Sequence, residues 1–372
     1  MGIRGNNKRS PSRFMRGMAL LSGVLLLSAC GGAPKDEGIV FYPPLPELPR
    51  MQFLTTINTE EDIGGHSGGG LFGSDRESAP LLRPFDVAHE KGKIYIADAS
   101  QGAIVVVDLA AKKFEFIQET KGGPFRSPMG LFIAEDGHKY IADAGREQVI
   151  VLDENNDFLR AYGKKGQFRP LSVAVDGDRI YVADVRESEI EVLDRQSGDV
   201  IAKFGGTGVE GGRFQWPTRV TLDSERGLFV TDFLNFRIQK LDRDGRFIRA
   251  IGENGNWPGA TPRPKGIAVD REGYLYVVDA AFELVQIFDS NSAEVLMAFG
   301  KFGPKPGGNW LPSGVNIDYD NLEYFSRYVD KNFRVKYLVY VVNQAGFRKL
   351  NVYAFGDWIG PMPEGAQPPA ES

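Results

Sequence analysis

The 372-residue chain has one cysteine and three histidines. Cys30 alone cannot close an intramolecular disulfide or build a multi-thiolate zinc or iron–sulfur centre, and His66, His89 and His138 are few for metal or acid–base chemistry. The histidines also fall at unrelated positions in the pattern described below, which argues against a three-histidine zinc site, so no metal or cofactor is expected. Long apolar runs are short in supply too. Residues 18–27 (MALLSGVLLL) reach about half of the ~20 apolar residues that a membrane-crossing helix needs, and Gly31-Gly32-Ala33-Pro34 ends the run. Basic residues do not dominate: 44 Lys and Arg against 49 Asp and Glu give a formal charge of −5. Nucleic acid, whose phosphates call for clustered cations, is not an expected partner.

What the N-terminus does contain is Arg4, Lys8, Arg9, Arg13 and Arg16 without an acid, then the apolar run, then Leu27-Ser28-Ala29-Cys30. This is the order of a signal peptide. The last four residues resemble the lipobox of bacterial lipoproteins, which implies cleavage before Cys30 and acylation of its thiol. Gly31 stands where inner-membrane lipoproteins often carry Asp, so the resemblance points to the outer membrane in preference to the inner. Loss of residues 1–29 takes the formal charge from −5 to −10. Residues 30–49, rich in proline, read as an extended spacer between lipid and body, and residues 361–372 as a disordered tail.

The 45 glycines and 22 prolines punctuate a repeat. Prolines 84, 128, 170, 217, 264 and 312 each open an apolar alternation and are spaced by 44, 42, 47, 47 and 48 residues. A second alternation ends in Tyr95-Ile96-Ala97-Asp98, Tyr140-Ile141-Ala142-Asp143, Tyr181-Val182-Ala183-Asp184, Phe229-Val230-Thr231-Asp232 and Tyr276-Val277-Val278-Asp279. Ten residues beyond each lies another aspartate, at 108, 153, 194, 242 and 289. Period-2 runs split by turn clusters such as Asp242-Arg243-Asp244-Gly245 are hairpins, and four of them per unit make a propeller blade. The units resemble NHL repeats, most closely at Phe204-Gly205-Gly206, at residues 211–217 (GGRFQWP) and at Asn235-Phe236-Arg237-Ile238-Gln239. Six units over residues 50–360 imply an all-β, six-bladed propeller of four-stranded antiparallel blades.

The sixth unit lacks its fourth strand, and residues 50–58 align with the fourth strands elsewhere; they are expected to close the ring. That unit also carries an insertion, residues 318–337, rich in aromatics, in which Asp320 is expected to cap a helix running to residue 329. It can cover the propeller or dock a partner through Tyr324 and Tyr328.

The aspartates repeated in nearly every blade are read as turn residues accepting backbone N–H groups, not as ion ligands. Positions that vary between blades carry more about function. Two residues beyond the prolines stand Asp86, Ser172 and Arg219, expected at the channel mouth. Loops after the second strands hold Arg146, Arg186, Phe233, Asn235, Phe236, Arg237, Phe282 and Phe347, a mixture suited to a partner-binding surface. The expected function is a lipid-anchored, non-enzymatic scaffold that binds an envelope protein or glycan. Two alternatives stand beside it: a lyase- or lactonase-type enzyme acting at the mouth through Asp86 and Arg219, and a purely structural envelope component.

Overall fold

The computed structural model describes residues 38–65, 80–363 and 365. The expected signal segment, Cys30, His66 and most of the tail lie outside these. Five sheets of four antiparallel strands and one of five form the six blades. Blade 1 comprises Pro84–Glu90, Lys93–Asp98, Ala103–Asp108 and Lys113–Ile117. Blades 2 to 5 repeat this order, their inner strands opening at Pro128, Pro170, Pro217 and Pro264. Second strands are wholly or almost wholly buried, whereas the outer strand of blade 3, Val200–Gly205, is largely exposed. The core therefore lies between blades, where Tyr140, Val149, Val173 and Val182, for example, share one cluster.

Blade 6 closes the ring as expected. Met51–Ile57 pairs antiparallel with Leu350–Trp358, which pairs with Phe333–Asn343, then Pro312–Asp318. Met51 and Ile57 are buried and Leu54 nearly so. One part of the expected spacer is structured: Val40–Tyr42 adds a fifth strand on Met51–Phe53. Phe41 accounts for it, burying its ring against Phe333 and Trp358 at centroid distances of 5.9 and 5.6 Å.

The insertion differs from expectation. Its α-helix spans only Leu322–Phe325, followed by a single 3₁₀ turn, Ser326–Tyr328. Asp320 does not cap it. The organising carboxylate is Asp318, which accepts the Asp320 and Asn321 N–H groups at 2.6 and 3.1 Å and the Tyr340 hydroxyl at 2.6 Å. Gln52 of the closing strand ends the turn, donating to the Tyr328 carbonyl and accepting the Asp330 N–H. The remainder of the insertion lengthens the hairpin of blade 6, and Phe325 is fully buried. This is a cover over the propeller.

The repeated aspartates act as the turn residues anticipated. Asp98 accepts the Leu82 and Arg83 N–H groups, Asp143 those of Arg126 and Ser127, Asp184 that of Arg169, and Asp279 that of Arg263. Each therefore clamps the chain as it enters the inner strand. Asn343 serves blade 6 in the same way through the Trp310 N–H. Inner strands converge so closely that a Cβ on Gly130 would lie 2.6 Å from the Leu171 carbonyl oxygen, and one on Gly266 2.5 Å from that of Ser313. Only glycine fits there.

Deleting residues 38–57 exposes the Leu350–Trp358 edge and strips four buried apolar side chains, Phe41, Met51, Leu54 and Ile57, each worth ~1.5–3 kcal/mol. The melting temperature is expected to fall by at least ~10 °C in a thermal scan; an unchanged melt contradicts closure by this strand.

Candidate functional site

A backbone irregularity builds the channel mouth. Immediately after each opening proline the ladder to the second strand slips: Pro84 faces Asp98 but Asp86 faces Ala97, which leaves Phe85 as an extra residue. The slip recurs after Pro128, Pro170, Pro217 and Pro312, and in blade 5 between Pro264 and Ile267. Such bulges re-aim side chains. The residues next to the prolines, Phe85, Met129, Leu171, Thr218, Lys265 and Ser313, all line one pocket of about 300 Å³ on the axis. Arg83, Trp216, Arg219, Phe233 and Gln344 complete it. Two clefts of about 550 and 560 Å³ beside the outer strand of blade 5 are larger. Neither gathers charge from around the whole ring.

The expected mouth residues sit one position deeper. Ser172 is buried between blades, where its hydroxyl accepts the Val220 N–H at 3.2 Å. Asp86 accepts the Leu131 N–H at 2.8 Å and the Arg219 Nη1 at 2.6 Å. Arg219 crosses the channel from blade 4 and also donates to the Phe85 and Met129 carbonyls at 2.6 and 3.3 Å. Both residues are about 8% exposed. The two side chains plug the axis and occupy each other's charge. Burial pushes the Asp86 carboxyl above its usual range, opposed by Arg219 and by the Leu131 and Val87 N–H groups.

Above this plug the pocket is cationic. Burial, with Arg263, Arg83 and Arg219 nearby, lowers the Lys265 ammonium from the usual 10.5 to about 8. Its Nζ donates to the Gln344 Oε1 at 3.2 Å. The Arg83 guanidinium lies 5.4 Å from the Phe85 ring centroid. Among the described residues no carboxylate pairs with Arg83 or Lys265, and none lines the pocket. Thr218 Oγ1 is buried without a partner. Trp216, 42% exposed, overhangs the rim with φ of +64°, a conformation costly for a bulky side chain.

Only two of the residues expected to bind a partner, Arg219 and Phe233, meet in this pocket. Arg146 donates to the Gly122 and Gly123 carbonyls, Asn235 to Gly208 and Asp232, and Arg237 to Asp232 and Glu210, so these three hold their own loops. Arg186 is paired with Glu147. Phe236 takes φ of +58° to end a 3₁₀ turn. Phe282 lines a blade 5 cleft, and Phe347 is exposed beside Trp310. Tyr324 and Tyr328 flank Arg327 and pack on the core, Tyr324 donating to the Ile63 carbonyl. The sequence reading missed Lys265, Arg83 and Trp216 together with the other residues that follow the prolines.

Two groups of metal-ligating side chains come together among the described residues: His89 with Asp318 and Asp320, and Asp184 with Glu189 and Glu191. In the first, the His89 Nδ1 is 2.6 Å from the Asn316 Oδ1 and its Nε2 3.3 Å from the Asp318 Oδ1, while Asp318 already organises the insertion. His138 sits apart, beside Asp136.

Replacing Arg219 with Met strands a buried carboxylate. Arg219→Met is expected to cost about 3–5 kcal/mol in denaturant unfolding, with a large part regained in Arg219→Met/Asp86→Asn. Additive losses in the double variant contradict the plug.

No family model matches the chain. It is 25% identical over 288 residues to Protein SUPPRESSOR OF QUENCHING 1, chloroplastic, of Arabidopsis thaliana, covering 62% of this chain and 27% of that protein. It is 26% identical over 202 residues to mouse NHL repeat-containing protein 3, covering 50% and 57%. The chain thus spans between about a quarter and just over half of these relatives. A probable peptidyl-alpha-hydroxyglycine alpha-amidating lyase of Caenorhabditis elegans is 23% identical, with 68% and 67% covered. Among solved structures, a streptogramin B lyase superposes with a TM-score of 0.52 at 15% identity, over 74% of this chain and 84% of that one. A protein of unknown function from Bacteroides thetaiotaomicron gives 0.59 at 14%, over 81% and 75%. At these identities the structural likeness is one of fold. With its proline-to-aspartate repeat, its six blades and its similarity to NHL repeat-containing protein 3, the chain is a six-bladed β-propeller built from NHL-type repeats.

Proposed function

We propose that the chain is a lipid-anchored binding protein of the bacterial cell envelope, attached through acylated Cys30 at the outer membrane. Its axial pocket captures an envelope protein through an anionic group carried beside an apolar one. The observation that carries this reading is the pocket: Arg83, Arg219 and Lys265 converge on walls of Phe85, Met129, Leu171, Trp216 and Phe233, with Asp86 below them paired to Arg219. An anion entering there favours the ammonium form of Lys265 that burial disfavours, and Thr218 Oγ1 gains a hydrogen-bond partner. A glycan carrying a carboxylate beside an apolar face would use the same groups.

An enzyme at the mouth, the alternative suggested by the lyases among the relatives, has less to work with. Asp86 and Arg219 neutralise each other, which leaves Lys265 as the one lining group titrating near neutral pH.

The sign of the pH effect follows from Lys265. An anion prefers the ammonium form, so affinity is full below about pH 8 and falls as pH rises through that value. The probe is 8-anilinonaphthalene-1-sulfonate, read by energy transfer from tryptophan, Trp216 included. Its affinity is expected to drop roughly tenfold per pH unit at the limit above the Lys265 transition, and Lys265→Met to weaken binding and flatten the profile. Equal binding of the uncharged N-phenyl-1-naphthylamine contradicts anion recognition. A Cys30→Ser variant is expected to lose palmitate labelling and to leave the membrane fraction; retention there contradicts the anchor.

A further inference from the structure

Blade 3 breaks the rule that its neighbours obey. In blades 1, 2, 4 and 5 both oxygens of the clamping aspartate accept hydrogen bonds. Asp184, fully buried, accepts the Arg169 and Arg186 N–H groups on Oδ1 at 2.8 and 2.9 Å, and its Oδ2 has no partner. An orphaned buried carboxylate oxygen is costly and calls for an explanation.

The third strand supplies one. In blade 4 the Asp232 Oδ2 accepts from Arg237 Nε and from Gln239 Nε2, both at 2.9 Å. Arg237 stands opposite Asp232 in the ladder, and Glu189 stands opposite Asp184 in the same way. Blade 3 therefore places Glu189 and Glu191 where blade 4 has two donors. The repeat geometry aims the orphaned oxygen at two more carboxylates, and oxygens of all three residues lie within 4.8 Å of one another. Glu191 is fully buried. The local countercharge is Lys203 of the outer strand, whose Nζ is 2.7 Å from the Glu189 Oε1 and also meets Glu191. Gln167 Nε2 donates to Glu191 at 3.2 Å. Three carboxylates against one ammonium leave two negative charges uncompensated, two of the three acids being completely buried.

We propose that Asp184, Glu189 and Glu191 form a divalent-cation site, best suited to calcium. The donor set is all oxygen, which favours Ca²⁺ over the nitrogen- and sulfur-seeking metals, and a divalent ion cancels the residual charge. Lys203, with 45% of its side chain exposed, is the displaceable stand-in: its flexible stem lets the ammonium swing into water as the ion enters. Bound there, the ion joins the second and third strands of blade 3 and supplies the partner that Asp184 Oδ2 lacks. The site is separate from the axial pocket and stands or falls independently of it.

The test is calorimetric titration of the EDTA-treated full-length chain with CaCl₂, paired with thermal melts. A single Ca²⁺ is expected to bind and to raise the melting temperature by at least ~2 °C. Glu189→Gln is expected to weaken binding by at least ~10-fold, since charge count tunes such sites. Lys203→Gln, which removes the competitor, is expected to bind more tightly than wild type. A salt bridge of purely structural role would leave Lys203→Gln destabilised and indifferent to calcium, and that outcome overturns the proposal. So does binding abolished by Asp320→Asn and retained by Glu189→Gln, which would move the ion to the other acidic group. If Glu189→Gln does not fold, Lys203→Gln decides alone.

Discussion

The side-chain oxygen that ends each second strand, from an aspartate in blades 1 to 5 and from Asn343 in blade 6, fixes the point at which the next turn of chain begins its descent along the axis. In Asp98 and Asp143 it grips two consecutive N–H groups ahead of the inner strand, and in Asp232 and Asn343 it grips one N–H two residues before the proline. With the entry held and the proline unable to donate, the ladder resumes one residue late, and the extra residue is turned toward the mouth. Six blades do this, so six side chains meet on the axis. The pocket follows from a backbone constraint, and only its chemistry is left to the residues chosen.

That choice separates the two levels of the channel. Deeper in, glycine at 130, 266 and 314 lets the inner strands close, and Arg219 fills the space that remains by reaching Asp86 across the ring. At the mouth, blades 1, 2 and 3 contribute Phe85, Met129 and Leu171, while Lys265 enters from blade 5 and Arg83 from the edge of blade 1. An apolar wall thus stands against a cationic one, with the plug as a floor. This arrangement suits recognition of a group with the opposite pair of properties.

Much of the architecture was legible in the sequence because it is periodic. The proline spacing, the second-strand aspartates and the alignment of residues 50–58 with the outer strands identify the six blades and the closing segment. The site was legible only up to one residue. Asp86, Ser172 and Arg219 occupy the right turn of chain, but the bulge after the proline moves the exposed position back to Phe85, Thr218 and Lys265, and a slip in register leaves no mark on an apolar alternation. Trp216 was hidden for a related reason: blades 4 and 6 insert one residue with positive φ before the proline, Trp216 and Leu311, and this swings the indole over the rim. The loop arginines misled because arginine and carboxylate or carbonyl partners far apart in sequence meet only in the fold, as Arg186 does with Glu147 and Arg237 with the Glu210 carbonyl. The insertion shortened to Leu322–Phe325 since Asp318 and Gln52 had already claimed the groups a longer helix would need.

The central claim is that the axial mouth is where the protein meets its partner. Its most direct measurement is photo-crosslinking in the intact cell envelope, with a benzophenone amino acid at Thr218 in the pocket and, as control, at Ser224, which borders a cleft lined by blades 2, 3 and 4. Adducts with a discrete envelope protein from position 218, suppressed by Lys265→Met and absent from position 224, are the predicted result. Adducts of equal yield from both positions, or adducts from 218 that ignore Lys265→Met, would contradict it.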